Sequence, residues 1–85
     1  MKYEVQVFVT LKEAVLDPQG SAVNHSLNQH GYTEVEDVRI GKVITLTLDG
    51  EREAVDARVT EMCEKLLANP VIEDYRFEVR EVAAQ

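Results

Sequence analysis

Residues 2–10 read KYEVQVFVT, a stretch in which apolar and polar side chains alternate. The apolar side chains that recur at a period of two are those of Tyr3, Val5, Val7 and Val9. This alternation predicts a strand with one buried face, and Phe8 on the polar side indicates partial cover near the end of the strand. The segments that follow must supply the cover for the buried face.

The first helix is predicted to begin at Asp17-Pro18. Aspartate caps the free backbone N–H groups of a helix, and proline suits the first helical position because its missing N–H had no partner there. The helix is expected to run to about His30, with Gly31 as its C-terminal cap. The turn before it carries Val15 and Leu16, and a turn this apolar in so small a chain needs a partner to cover it.

The segment from Asp37 to Asp49 allows two interpretations. Most of its apolar side chains fall on even positions, namely Val38, Ile40, Ile44, Leu46 and Leu48. Gly41-Lys42 resembles a two-residue hairpin turn, but a hairpin would send the apolar side chains before and after it to different faces. The unbroken parity favours one long central strand, bent or bulged near Gly41. Because such a strand is longer than usual, it is expected to extend across a subunit boundary.

A second helix is predicted over residues 51–68, where apolar side chains recur at helical spacing. Asn69-Pro70 ends it, and residues 71–82 form the last strand. The element order is therefore β-α-β-α-β, with two helices on one face of a mostly antiparallel sheet, which defines an α+β fold. The 85 residues suffice for a single domain that spans residues 1–85.

Composition and charge exclude several classes of function. Acidic residues outnumber basic ones by 16 to 9, which gives a net charge of −7. This balance opposes binding to nucleic acid or to an anionic membrane surface, since both draw affinity from Lys and Arg. No apolar run approaches the ~20 residues that span a bilayer, and the N-terminus lacks the apolar core of a signal peptide. We therefore expect a cytoplasmic protein.

No residue pattern predicts a catalytic, cofactor-binding or metal-binding site. His25 and His30 would diverge by about 140° on a helix, which is a poor arrangement for one metal ion. Cys63, the single cysteine, lies on the apolar stripe of the second helix, which favours a buried structural thiol over a nucleophile. The acidic clusters lack calcium-loop spacing and are interpreted as solvated turns; they comprise Glu34, Glu36, Asp37, Glu73 and Asp74.

One compositional feature points to a protein interface. From Pro18 to Thr33 there is no Asp, Glu, Lys or Arg, in a chain that is 29% charged. A polar, solvated helix explains this run equally well by composition, but interface cores are depleted in charge, and the apolar pair before the run favours an interface. Lys12 and Lys42 flank the same end of the predicted sheet. Simple exposure to solvent is the favoured interpretation of these two lysines, and binding of an anion or an acidic partner is the alternative.

Three segments of the chain resemble the PurS family, the small subunit of phosphoribosylformylglycinamidine synthase. They are VTLKEAVLDPQGSAV at residues 9–23, DVRIGK at residues 37–42 and MCEKLLANPVIEDYRFEV at residues 62–79. The resemblance covers nearly the whole chain in order and is thinner across residues 24–36 and 49–58. It implies a ferredoxin-like variant of the α+β fold, completed by a dimer partner.

The resemblance implies a non-catalytic subunit of a glutamine-dependent, ATP-consuming ligase complex in de novo purine synthesis. In that complex the glutaminase subunit PurQ releases ammonia, and the synthetase subunit PurL uses ATP and Mg²⁺ to convert formylglycinamide ribonucleotide to formylglycinamidine ribonucleotide. The chain is expected to bind no cofactor itself, to bridge PurQ and PurL, to assist ammonia transfer and to form a homodimer or homotetramer. The residues predicted to contact partners are Val15, Leu16, Asp17, Pro18, Gly20, Val23, Arg39, Gly41 and Lys42.

Two other classes of function stay open on the residues alone. A small dimeric regulatory module of ferredoxin-like fold would bind an amino acid or nucleotide at its dimer interface, which is an argument from fold analogy. Such a module would need a glycine-rich strand-to-helix loop, and residues 17–20 resemble one only weakly. An independent small enzyme would need convergent titratable groups, and the sequence reveals none.

Overall fold

The computed structural model describes residues 1–82, in which three strands alternate with two helices. The elements are β1 (Lys2–Leu11), α1 (Pro18–Gln29), β2 (Gly41–Asp49), α2 (Arg52–Met62) and β3 (Glu73–Val82). The predicted β-α-β-α-β order is confirmed. The predicted single domain also includes residues 83–85, which lie outside the described residues. Within residues 1–82, no helix is long and apolar enough to cross a membrane.

β1 forms the centre of an antiparallel sheet with the strand order β2-β1-β3. Val7, in the middle of β1, lies opposite Ile44 of β2 and Phe77 of β3. The side chains of β1 that were predicted to face the core are buried, and they are Tyr3, Val5, Val7 and Val9. On the other face, the ring of Phe8 is half-buried beneath the guanidinium group of Arg76, 4.1 Å from the ring centroid.

α2 covers the apolar face of the sheet. Val55, Val59 and Cys63 follow one another at four-residue spacing and pack into one buried cluster with the apolar side chains of β1. After Met62 the helix widens into a π-helical turn, Cys63–Leu67, closed by a hydrogen bond from the Ala68 N–H to the Cys63 carbonyl (3.1 Å). The hydrophobic core therefore belongs to the sheet and α2.

α1 contributes no side chain to this core, unlike the predicted arrangement with both helices on the sheet. Its only buried residue is Gly20. Instead, α1 lies along residues 35–40, the connection that leads into β2. The radius of gyration is 16.7 Å, whereas a compact chain of this length has about 12 Å. α1 and its connection thus form a lobe beside the core.

β2 is shorter than the predicted strand over residues 37–49. It begins at Gly41, which pairs with Thr10, and residues 37–40 are not part of any strand. The cause is a contact with a distant residue, because the Ile40 N–H donates a hydrogen bond to the Asp17 carboxylate (2.7 Å) in place of a strand partner. The hairpin alternative is wrong as well, since both of its turn residues lie inside β2.

Val59→Ala should lower the free energy of unfolding by about 2 kcal/mol, because it removes two buried methyl groups and leaves a cavity under α2. Urea unfolding followed by circular dichroism measures the change. Val23→Ala is the matched control, because Val23 is 40% exposed on α1 and its truncation should cost less than about 0.5 kcal/mol. Equal losses in the two variants would contradict the assignment of the core to the sheet and α2.

Candidate functional site

No group of three or more His, Cys, Asp and Glu side chains in residues 1–82 is arranged to hold a metal ion. Cys63 is fully buried, and burial raises the pKa of its thiol, which keeps the sulfur protonated and unreactive. The interpretation of Cys63 as a buried thiol is therefore confirmed. His25 and His30 are exposed on α1 and its C-terminal cap.

The Asp17 carboxylate joins α1 to the connection that leads into β2. Its Oδ1 accepts the Gly20 N–H (2.9 Å), which caps α1 as predicted, and its Oδ2 accepts the Ile40 N–H (2.7 Å). Asp17 is only 7% exposed. The Gly20 and Ile40 N–H groups hold the pKa of Asp17 below its ordinary value, and the nearby Arg39 guanidinium acts in the same direction. The carboxylate is thus charged and nearly buried, and each of its oxygens accepts a backbone N–H.

Arg39 holds the apolar turn that precedes α1. Its guanidinium group donates hydrogen bonds to the carbonyl of Val15 (2.8 Å) and to the carbonyl of Glu13. These bonds satisfy backbone acceptors of a turn that has no regular secondary structure of its own. The turn over residues 12–16 is therefore held in place by the side chain of Arg39, which lies on the connection between α1 and β2.

The contact between α1 and its connection is close. A Cβ atom at Gly20 would collide with the backbone carbonyl of Val38, so only glycine fits at this point of approach. Further along α1, the side-chain amides of Asn24 and Asn28 donate to backbone carbonyls of residues 36 and 35, at 3.4 and 3.3 Å. One side of α1 is thereby occupied by its own chain.

The structure brings most of the predicted contact residues together. One cleft of about 420 Å³ is lined by Val15, Leu16, Asp17 and Arg39 among others. A second cleft of about 350 Å³ shares Asp17 and adds Pro18, Gly41 and Lys42. Gly20 is buried below both, while Val23 lies apart in a groove on the outer side of α1 that Leu27 and Tyr32 also line.

Two exposed apolar side chains escaped the sequence analysis. Leu66 falls within the helix predicted over residues 51–68 and Val71 within the predicted last strand; they are 84% and 81% exposed. The π-helical turn inserts an extra residue per turn, which rotates Leu66 away from the core. Val71 lies in a tight loop where Asn69 accepts its N–H (3.1 Å). In the sequence, the Asn69-Pro70 pair indicates this loop, because Asn-Pro marks a turn before the strand.

The three segments of distinctive sequence meet at one end of the sheet. The Lys12 N–H donates to the Ile72 carbonyl (2.9 Å), and the Lys12 ammonium group pairs with Asp74 (2.8 Å), which joins the first segment to the third. Arg39 and Asp17 join the first segment to the second. Exposed apolar side chains on loops that are held by hydrogen bonds are typical of a module that binds other protein chains.

Comparison with known proteins gives the family of this module. The family model described as "PurS: Phosphoribosylformylglycinamidine (FGAM) synthase" matches residues 4–81, and the chain belongs to this family. The PurS subunit of phosphoribosylformylglycinamidine synthase from Bacillus subtilis is 63% identical over 83 residues, which cover 98% of this chain and 99% of that protein. The resemblance stated from the three segments is confirmed.

Solved structures agree on the fold. The crystal structure of PurS from Methanocaldococcus jannaschii, a subunit of formylglycinamide ribonucleotide amidotransferase in the purine biosynthetic pathway, superposes with a TM-score of 0.84. It is 40% identical, and the match covers 95% of this chain and 99% of that one. A chain in the structure of PurLQS from Thermotoga maritima has a TM-score of 0.82 and 34% identity, covering 96% of this chain and 99% of that one. The ferredoxin-like α+β fold of the PurS family is therefore the fold of this chain.

Asp17→Asn should lower the melting temperature at neutral pH, because an amide cannot accept both the Gly20 and the Ile40 N–H through oxygen. Since folding depresses the pKa of Asp17, its contribution is complete above the ordinary carboxyl pKa and is lost as the pH falls through the folded value. The difference between wild type and variant should therefore shrink below about pH 4. Thermal unfolding between neutral and acidic pH measures it.

Asp37→Asn provides the control, because Asp37 is exposed on the same connection. It should melt like the wild type at neutral pH. A wild-type melting temperature for Asp17→Asn at neutral pH would show that the two hydrogen bonds to Asp17 do not hold the lobe.

Proposed function

We propose that this chain serves as the non-catalytic PurS-type subunit of phosphoribosylformylglycinamidine synthase, where it bridges the glutaminase subunit PurQ and the synthetase subunit PurL. The match to the family model over residues 4–81 carries the proposal. The complex converts formylglycinamide ribonucleotide to formylglycinamidine ribonucleotide with ATP and glutamine. A cytoplasmic location belongs to the same proposal, because ATP and glutamine are cytoplasmic metabolites.

The chemistry of the reaction gives such a subunit a physical role. Ammonia released into water at neutral pH becomes mostly ammonium, which is not a nucleophile. A path between subunits that excludes bulk water keeps the ammonia reactive until it meets the activated amide. A chain that holds two catalytic subunits in register needs binding surfaces and no catalytic groups. In this proposal ATP and Mg²⁺ belong to the synthetase subunit, and this chain binds no cofactor.

The Thermotoga maritima PurLQS structure supports PurL and PurQ as the partners, because a chain of that complex shares this fold. We assign the contacts to the residues predicted from the sequence. These are Val15, Leu16, Asp17, Pro18, Gly20, Val23, Arg39, Gly41 and Lys42. In this set Asp17, Gly20 and Arg39 act as positioning residues, because their polar groups or close contacts hold the turn and α1 in place. Leu16 and Val23 present apolar surface to a partner.

A second copy of the chain is the further partner. β2 lies at the edge of the sheet, and no strand among residues 1–82 pairs with its outer side. Between Val43 and Leu48 this edge carries no charged residue and no proline, which are the usual protections against strand pairing. The radius of gyration is also larger than that of a compact monomer, because the α1 lobe extends away from the core. Pairing of two copies along β2 would close the edge in a symmetric dimer, and two dimers would give a tetramer.

Purified PurL and PurQ should show glutamine-dependent synthase activity that depends strongly on added chain. The same reaction supplied with ammonium salt should depend little on the added chain. Ammonia in equilibrium with the salt reaches the synthetase subunit from bulk water and bypasses the transfer between subunits. Steady-state formation of formylglycinamidine ribonucleotide, measured with each nitrogen source, tests the proposal. If the chain changes neither rate, the bridging role is wrong and a ligand-binding regulatory module becomes the better hypothesis.

Light scattering coupled to size exclusion should give the mass of a dimer or tetramer for the isolated chain at micromolar concentration. Closing the β2 edge removes unpaired backbone groups and apolar surface from water, so dissociation should require dilution well below that concentration. A monomeric mass across the whole range would contradict pairing of two copies along β2.

A further inference from the structure

Among residues 1–82, the three most exposed large apolar side chains belong to Leu66, Val71 and Leu16, at 84%, 81% and 78%. The next, Met1, is 63% exposed. Burying a leucine or valine side chain in an interface is favourable, so three such side chains exposed to water can contribute strongly to binding a partner. Their exposure is informative only if they lie together.

Leu16 and Val71 occupy loops at the same end of the sheet, and Leu66 lies in the π-helical turn that leads into the second of these loops. Leu16 belongs to the turn after β1, and Val71 and Leu66 belong to the connection between α2 and β3, whose first residue pairs with the last residue of β1. The Lys12 N–H links the two loops through the Ile72 carbonyl (2.9 Å). We call this region the end surface, defined by Leu16, Leu66, Val71 and Ile72.

The loops of the end surface are held in place by hydrogen bonds. Asn69 accepts the Ile72 N–H at its carbonyl and the Val71 N–H at its side-chain oxygen, both at 3.1 Å, and its own N–H donates to the Glu73 carboxylate (2.7 Å). On the other loop, Arg39 fixes the carbonyl of Val15. A preorganised apolar surface binds with a smaller loss of conformational entropy than a mobile one, which favours a docking role.

The charges beside Leu16 describe the partner. Glu13 and Asp37 line the same cleft as Leu16, and both are exposed. Within the described residues neither carboxylate forms an ion pair, while the nearby Lys12 is already paired with Asp74 and Arg39 donates to backbone carbonyls. Three carboxylates, those of Glu13, Asp17 and Asp37, line the cleft with Leu16 against one guanidinium group, that of Arg39, so the cleft is acidic. A complementary face therefore carries Lys or Arg around an apolar centre.

A second copy of this chain is a poor match for that description. Its net charge is −7, and most of its cations are engaged in pairs with its own carboxylates. Lys2 and Arg58 are outside such pairs in residues 1–82, but both lie at the opposite end of the sheet. Near the end surface, Lys42 and Arg39 have no such pair among these residues, but Arg39 is engaged with the carbonyls of Val15 and Glu13. Two end surfaces facing each other would bring acidic rims together.

We infer that the end surface docks a different chain of the synthase, through a face of that chain with an apolar centre and a basic rim. This inference rests on the proposed function and adds Leu66, Val71 and Ile72 to its contact residues. It also separates two kinds of contact. The end surface combines apolar burial with charge attraction, whereas pairing along the uncharged β2 edge depends on backbone hydrogen bonds.

The test uses the full chain with Leu16 and Val71 both changed to glutamate, and it measures binding to purified PurL and purified PurQ separately. Both side chains are exposed in the free chain, so the double variant should keep the wild-type melting temperature and oligomeric mass. Affinity for one of the two catalytic subunits should fall at least about tenfold. Ala57→Glu, at an exposed position of α2, is the control for added charge and should bind like the wild type.

Salt provides the second readout. Wild-type binding to the same subunit should weaken between about 50 and 300 mM NaCl, because screening removes the attraction between the acidic and basic rims. Normal binding of the double variant to both subunits would overturn the inference, as would a reduced oligomeric mass, which would assign the surface to a second copy. Binding that is indifferent to salt would overturn the basic-rim chemistry. If the wild-type chain binds neither subunit, the proposed function itself fails.

Discussion

The shared carboxylate of Asp17 is the interaction on which the functional part of the molecule depends. One oxygen caps α1 and the other holds the Ile40 N–H, so a single side chain fixes both the start of the helix and the entry into β2. The same two bonds end the strand pairing at Gly41 and draw the connection against Gly20, where no side chain would fit. A buried charge of this kind persists because each carboxylate oxygen accepts a backbone N–H.

The molecule separates stability from binding. The buried cluster contains only side chains of β1, α2 and the π-helical turn, so the core would survive considerable change in the α1 lobe. The lobe, the β2 edge and the end surface bury little within the chain itself. This division suits a subunit whose partners complete it, because surface left uncovered in the free chain becomes binding energy in a complex.

The outer groove of α1 and the end surface offer different interactions to a partner, and this difference is relevant to a subunit that bridges two chains. The outer groove of α1 lies in the stretch from Pro18 to Thr33 that has no formal charge, so binding there depends on apolar contact. The end surface sets the apolar side chain of Leu16 beside the carboxylates of Glu13 and Asp37. Charge complementarity contributes mainly to selectivity and association rate, and apolar burial contributes mainly to lifetime. A chain with both kinds of surface distinguishes its partners without a catalytic group.

The sequence by itself determined the elements whose period is regular: the buried face of β1, the capped start of α1 and the buried stripe of α2 through Cys63. It also identified the turn around Leu16 as an exposed apolar site. The folded structure decided the rest, because two features depend on contacts between distant residues and a third on a change of helix geometry after Met62. The bond from Ile40 to Asp17 shortened β2, the π-helical turn rotated Leu66 outward, and the link from Lys12 to Ile72 placed Val71 at the same end as Leu16. Local patterns record what each segment prefers, but a surface assembled from several loops exists only after the chain has folded.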